Sequence, residues 1–195
     1  MRSEPYQVIY LTGPPATGKS TLVATLEAKL QPLVSFTYSK VLAQHIGQRD
    51  AQVTSQDSLR ERSAQTIRPE DVESVDEQLL TFVQANRSKA HVIIDSHAVT
   101  KESYGFRVTP FSLPKVMELR PTRIFMLYAE AAVVQGRIAN SPAGRPQISD
   151  FTADFHTNLQ ATVALTYGIN LGIPVYFLDS SASPEELSEM VIKRL

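Results

Sequence analysis

The segment that most restricts this chain lies near its start: Gly13-Pro14-Pro15-Ala16-Thr17-Gly18-Lys19-Ser20, followed by Thr21. It fits the pattern G-x-x-x-x-G-K-[S/T]. It stands between an apolar run, Val8-Ile9-Tyr10-Leu11, and a stretch in which Leu22, Leu26 and Leu30 recur every fourth residue. A strand feeding a glycine-rich turn that opens a helix aims successive backbone N–H groups at one spot. The positive end of the helix dipole adds to them, and the result is a phosphate site. In such a loop Lys19 reaches the β- and γ-phosphates and Ser20 offers its hydroxyl to Mg2+. The loop therefore predicts a phosphate site with Mg2+ as companion ion. GTPases, motor ATPases and small-molecule kinases share it, so the use made of the phosphate is left open.

Other apolar runs repeat the strand signature: Val92-Ile93-Ile94, Ile124-Phe125-Met126-Leu127-Tyr128 and Val175-Tyr176-Phe177-Leu178, with a weaker one from Leu33 to Thr37. None of the strong runs alternates apolar with polar residues, as expected of parallel strands covered on both faces. Helical spacing fills the intervals: Val72, Val75, Leu79 and Phe82; Phe151, Phe155, Leu159 and Val163; and a capping box, Ser183-Pro184-Glu185-Glu186, opening a last helix. Alternating strands and helices predict an α/β fold, a parallel sheet of about five strands with helices on both faces. Residues 47–55, 100–114 and 140–147 resist assignment, and such segments are candidates for mobile loops at a site.

Two further groups carry chemistry. Asp95 ends the buried run Val92-Ile93-Ile94, where the strand's C-terminal end faces the ligand crevice, and so is placed to complete the metal shell. A plain turn-capping Asp is the competing reading. Two residues on, His97 either contacts substrate or orders the loop. Phosphoryl transfer calls for positive charge on a closing loop, and Arg137 and Arg145 bracket a Pro/Gly-containing stretch late in the chain. Arg60 and Arg62 are placed to grip an acceptor phosphate, or else belong to a solvated helix face.

At this point the residues resemble a known family, the archaeal-type adenylate kinases within the P-loop nucleoside monophosphate kinases. The most specific stretch is Ile94-Asp95-Ser96-His97-Ala98-Val99, followed by Lys101 and Gly105-Phe106; Tyr38-Ser39 and Asp57-Ser58-Leu59-Arg60 are similar to two further family motifs. The resemblance implies a P-loop NTPase three-layer sandwich over residues 1–195, with strand order 2-3-1-4-5. It implies an acceptor-binding insertion at about 38–68 and a short lid at about 137–147. It also implies an adenylate-type kinase that binds ATP at residues 13–21 and whose nucleoside monophosphate acceptor contacts Tyr38, Ser39, Arg60, His97, Lys101, Gly105 and Phe106. The chain departs from the family where only Arg137 and Arg145 remain in the lid, where the late helix carries Gln160-Ala161 in place of an arginine, and at Val108-Thr109-Pro110-Phe111-Ser112. Two alternatives stay open: a kinase of another small metabolite, and a P-loop ATPase or regulatory nucleotide-binding protein.

Composition narrows the setting. Apolar residues make up 43% and charged residues 20%, which suits a packed domain and not a disordered chain. A net charge of −1 offers no general field for nucleic acid or an anionic membrane. With no cysteine, disulfides, zinc–thiolate sites and thiol catalysis are excluded. The first residues do not read as a signal peptide and no run is long enough to span a bilayer, so a cytoplasmic setting is expected, with neither nucleic acid nor membrane as a partner.

Overall fold

Burial on both faces is what the continuous apolar runs encode; the first three assemble accordingly, whereas the last, Val175–Leu178, leaves Phe177 41% exposed. A computed structural model describes residues 5–50, 66–140 and 146–195. Strands β1 (Val8–Thr12), β2 (Leu33–Thr37), β3 (His91–Asp95), β6 (Arg123–Tyr128) and β7 (Val175–Asp179) form one parallel sheet in the order β2-β3-β1-β6-β7. Numbered within that sheet alone, this is the expected order 2-3-1-4-5. Successive side chains on a strand point to opposite faces. Val8 and Tyr10 therefore enter one core, with α2 (Tyr38–Gly47), α3 (Pro69–Asn86), α4 (Leu113–Leu119) and α6 (Asp150–Leu171). Ile9 and Leu11 enter the other, against α1 (Lys19–Lys29) and α7 (Pro184–Ile192). The register sets Leu11, Asp95 and Thr37 in one row, so three strands end level at the edge where the glycine-rich loop departs.

The helix ends follow from local chemistry. Before α7 the Ser183 hydroxyl accepts the Glu186 N–H at 3.2 Å and the Glu186 carboxylate accepts the Ser183 N–H at 3.0 Å, the reciprocal box the sequence predicts. Gly172, at φ 65°, closes α6 in the left-handed conformation that a side chain disfavours. A short helix, α5 (Ala131–Ala139), follows β6 and packs its Val134 and Ile138 over Ala16 of the loop. No helix among the described residues is long and apolar enough to cross a membrane.

Two regions differ from the sequence expectation. Residues 100–114 are not an irregular loop: β4 (Val99–Glu102) and β5 (Gly105–Val108) form an antiparallel hairpin that leads into α4. The fourfold stripe of α6 is also not its buried face, since Phe151 is 75% and Phe155 40% exposed. Each four-residue step overshoots a full turn by about 40°, so a period-four stripe drifts around the helix. The buried positions are Ala153, His156, Gln160, Ala164, Tyr167 and Gly168, and two of them are polar.

At Gly168 a Cβ would lie 2.2 Å from Val175 Cγ2 and 3.3 Å from the Ile173 carbonyl oxygen. Glycine to alanine inside a helix ordinarily stabilises by about 0.5–1 kcal/mol. Here β7 lies against the helix, and Gly168→Ala is expected instead to destabilise by roughly 1–3 kcal/mol. Urea unfolding of the two proteins decides the sign.

Candidate functional site

The loop of residues 13–20 is shaped by close contact. A Cβ on Gly13, at φ 147°, would come within 2.6 Å of the Leu127 carbonyl oxygen. Ala16 and Gly18 turn left-handed at φ 65° and 81°. Thr17, fully buried, donates its hydroxyl to the Pro14 carbonyl at 2.8 Å and so closes the turn on itself. The Lys19 ammonium is folded back onto the loop, donating to Gly13 O at 2.6 Å and Pro14 O at 3.0 Å. Ser20 and Thr21 stand in the first turn of α1. Over the loop lies a cleft of about 220 Å3 that Pro15, Gly18, Lys19 and Ser20 share with Thr37 and Asp95. Asp95 is buried at the end of β3.

A second cavity, about 520 Å3, opens beside the first between α2, α3, α4 and the β4–β5 hairpin. Its walls are largely aromatic and aliphatic: Tyr10, Tyr38, Leu42, Val72 and Phe111. Of the two carboxylates in its lining, Glu73 and Asp76, the second is buried on α3. It accepts the Tyr38 hydroxyl at 2.7 Å and the Lys115 ammonium at 2.6 Å, and so joins α2, α3 and α4. Burial raises the Tyr38 phenol far above its usual range, and the neighbouring carboxylate adds to the rise, so this tyrosine stays a donor. Ser39 and His97 line both cavities.

The expected site residues are thus divided. Tyr38, Ser39 and His97 meet at the larger cavity, while Asp95, Lys19 and Ser20 meet at the smaller one. Lys101, Gly105 and Phe106 line neither. Phe106 packs on Phe155 and His156 with ring centroids 5.4 and 5.1 Å away, and the Lys101 ammonium stands 5.6 Å above the Phe106 ring. Their neighbour Arg107 does reach the larger cavity, paired with Glu102 at 2.9 Å. Arg137, expected on a lid, sits in the last turn of α5. Its guanidinium donates to the Ala16 carbonyl at 3.3 Å and to the Ser180 hydroxyl and carbonyl at 3.1 and 2.5 Å. It staples the loop to the turn after β7. Arg60 and Arg145 lie outside the described residues.

Asp76, Lys115, Tyr10 and Phe111 escaped the sequence reading. Asp76 left a signal, an acid four residues after Val72 on the apolar face of α3, and Tyr10 another, a hydroxyl within an apolar strand. Phe111 falls in the stretch that departs from the adenylate kinase pattern. The other departure, Gln160, is fully buried: it accepts the Val99 N–H at 3.1 Å and donates to the Thr12 hydroxyl at 2.8 Å. It binds α6 to the strand end from which the phosphate loop springs.

A glycine-rich loop between a parallel strand and a helix, at the level edge of a doubly covered sheet, defines a P-loop α/β domain of the kinase-like type. The chain belongs to the AAA domain family, whose model matches residues 12–153. Among curated protein sequences none matches it. Solved structures similar to it include the tunicamycin resistance protein of Deinococcus radiodurans, at 16% identity over 97% of this chain and 95% of that one, with a TM-score of 0.59. Shikimate kinase from Acinetobacter baumannii, in complex with shikimate, is 12% identical over 97% and 93%, with a TM-score of 0.55. An unliganded sugar kinase from a Janibacter species is 15% identical over 97% and 94%, with a TM-score of 0.54. At these identities the likeness is one of fold.

One buried group makes stability depend on pH. His156, whose Nε2 lies 3.1 Å from the Val99 carbonyl oxygen, is held down at about 4, chiefly by burial; that hydrogen bond opposes the shift, and the nearby Lys19 and Lys101 add to it. Because the folded state refuses a proton that the unfolded chain accepts near 6.5, stability is level above that pH and falls as pH drops toward 4. Between pH 7.5 and pH 5 this one group is expected to remove about 2 kcal/mol. Unfolding curves at both pH values should show the loss in the wild type and a correspondingly smaller one in His156→Gln.

Proposed function

We propose that this chain is an ATP- and Mg2+-dependent phosphotransferase acting on a small-molecule acceptor, most specifically a nucleoside monophosphate. The observation that carries the reading is the junction: Ser39 and His97 line both the cleft over the phosphate loop and the larger aromatic cavity. A γ-phosphoryl group held over the loop would therefore face an acceptor seated beside it, as an in-line transfer between two bound molecules requires.

In this reading Lys19 exchanges its bonds to Gly13 O and Pro14 O for bonds to the β- and γ-phosphates. The loop N–H groups and the start of α1 hold the remaining charge. Asp95 and the Ser20 hydroxyl both line the phosphate cleft and are hard oxygen donors of the kind Mg2+ takes when phosphates and waters complete its shell. The metal would neutralise charge on the phosphates. Arg137 keeps Ala16 in place while the loop fills. A phosphate acceptor is already anionic and needs no general base, so positioning and charge carry the chemistry.

A second reading, a kinase of a hydroxyl-bearing metabolite, is favoured by one feature. Two of the cations lining the larger cavity, Lys115 and Arg107, are already paired with carboxylates. ADP release measured with Mg-ATP against nucleoside monophosphates, nucleosides, sugars and shikimate separates the two. Release that depends on monophosphates is expected, and release equal to the acceptor-free blank throughout would sink both. Lys19→Ala is expected to lower the rate at least about 100-fold. Arg137→Ala should raise the KM for ATP about 10-fold while changing kcat little; a fall in kcat alone would instead mark a lid residue.

A further inference from the structure

The charges around the larger cavity are matched. Lys115 on α4 donates to the Asp76 carboxylate at 2.6 Å, and Arg107 on the hairpin pairs with Glu102 at 2.9 Å. In each pair the carboxylate side chain is buried, at 6% and 7% exposure, while the cation stays partly open, at 32% and 29%. The other carboxylate and guanidinium of the lining, Glu73 and Arg68, are both exposed and opposite in sign. Burying a carboxylate against a part-open cation adds little to stability, since apolar side chains of similar volume serve a fold as well or better. Two such pairs beside one cavity therefore ask for a use, and Lys115 offers one. An ammonium carries three N–H donors. Among the described residues its hydrogen bond is the one to Asp76, and the side chain lines the cavity. An anion drawn to that ammonium would also meet the Asp76 carboxylate close by, so attraction and repulsion largely cancel. An uncharged oxygen meets no such repulsion and still takes a charge-assisted bond.

We propose that Lys115 is a specificity-determining residue of the larger cavity: its ammonium, neutralised by Asp76, donates to an uncharged carbonyl or hydroxyl oxygen of the acceptor, and the pair disfavours an anionic group at that place. The assignment rests on the kinase reading above only in taking this cavity as the acceptor's. Lys115 lines the larger cavity and not the phosphate cleft, whereas Ser39 and His97 line both. The oxygen it reads therefore belongs to the part of the acceptor away from the transferred phosphoryl group: the base or sugar of a nucleoside monophosphate, or the body of another metabolite. Tyr38 and Phe111, their rings 5.5 Å apart, supply aromatic surface for a ring that bears the oxygen. The same wall is where the chain departs from the adenylate kinase pattern, since Thr109, Pro110 and Phe111 of the departing stretch line the cavity just ahead of Lys115.

The test uses the full chain without nucleotide and two fragments of one shape, acetophenone with a neutral carbonyl and benzoate with a carboxylate. NMR titrations near pH 8 follow the methyl groups of Leu42 and Val72, both in the cavity lining, so that benzoate held by the phosphate loop is not counted. The wild type is expected to bind acetophenone about 5-fold more tightly than benzoate, and Lys115→Met to weaken acetophenone about 10-fold. Asp76→Asn leaves the ammonium uncompensated and should shift the preference about 10-fold toward benzoate, a gain that a merely structural ion pair would not produce. If Lys115→Met alone fails to fold, the double variant Asp76→Asn/Lys115→Met, which strands no charge, should show the same loss of acetophenone and no gain of benzoate. Unweakened acetophenone in the folded Lys115 variant overturns the proposal. So does an unmoved preference in Asp76→Asn, and so do methyl groups that shift with neither fragment in the wild type. Failure of turnover with every acceptor would count against the kinase reading alone, since the fragment titrations stand or fall without it.

Discussion

Everything functional in this molecule depends on a sheet whose three central strands are dry on both faces. Parallel strands buried that way need crossover helices above and below, and right-handed crossovers return each strand in the same direction. All the C-terminal ends then lie at one edge. That edge is where backbone groups leave the hydrogen-bonded ladder and polar side chains become possible, and there the chain changes character within a residue or two: Leu11 to Thr12 and Gly13, Ile94 to Asp95, Phe36 to Thr37. The phosphate loop, the carboxylate and the wall of the larger cavity are brought together by the register before any side chain of the site contributes.

The long helix α6 shows how such an edge is held in place. Its inward face places a histidine and a glutamine where apolar residues would be expected, and both are used for backbone accounting. Gln160 satisfies an N–H at the start of the β4–β5 hairpin and reaches the Thr12 hydroxyl; His156 engages the carbonyl of the same residue, Val99. One helix therefore ties the hairpin to the root of the phosphate loop through three polar contacts, each buried. Such contacts have strict geometry and are costly to leave half made, so they fix relative position more sharply than apolar packing can.

Much of this was legible in the sequence. The strand–loop–helix context of residues 13–20 and the four unbroken apolar runs were enough to predict the α/β sheet, its coverage and the start of the last helix. The loop residues lining the phosphate cleft followed, because their spacing along the chain is their spacing in space, and Asp95 followed from its place at the end of a buried strand. The larger cavity did not follow. Its walls come from β1, α2, α3, α4 and the hairpin, and a contact between Asp76 and Lys115 leaves no local pattern. The α6 stripe misled for a definite reason, that a repeat of four is not a repeat of 3.6. Lys101 and Phe106 stand in the stretch most like the adenylate kinases, yet their hairpin turns them onto α6, while Arg107, one position along, turns inward. Alternation along a strand, unseen until the hairpin is known, settled which of them could reach a ligand.

The carboxylate of Asp76 has a consequence for how the larger cavity can change. Three of its helical walls are moored to one atom group, so none can swing outward by itself without breaking a bond to that buried charge. Widening or narrowing has to be concerted, with α2 and α4 moving about the fixed post on α3. A chain of this architecture that resized the cavity by shifting one of these helices would need matched replacements at positions 38, 76 and 115 together. Helix spacing around the cavity is thus set by three residues together, while single wall residues such as Leu42, Val72 and Phe111 still set its local shape.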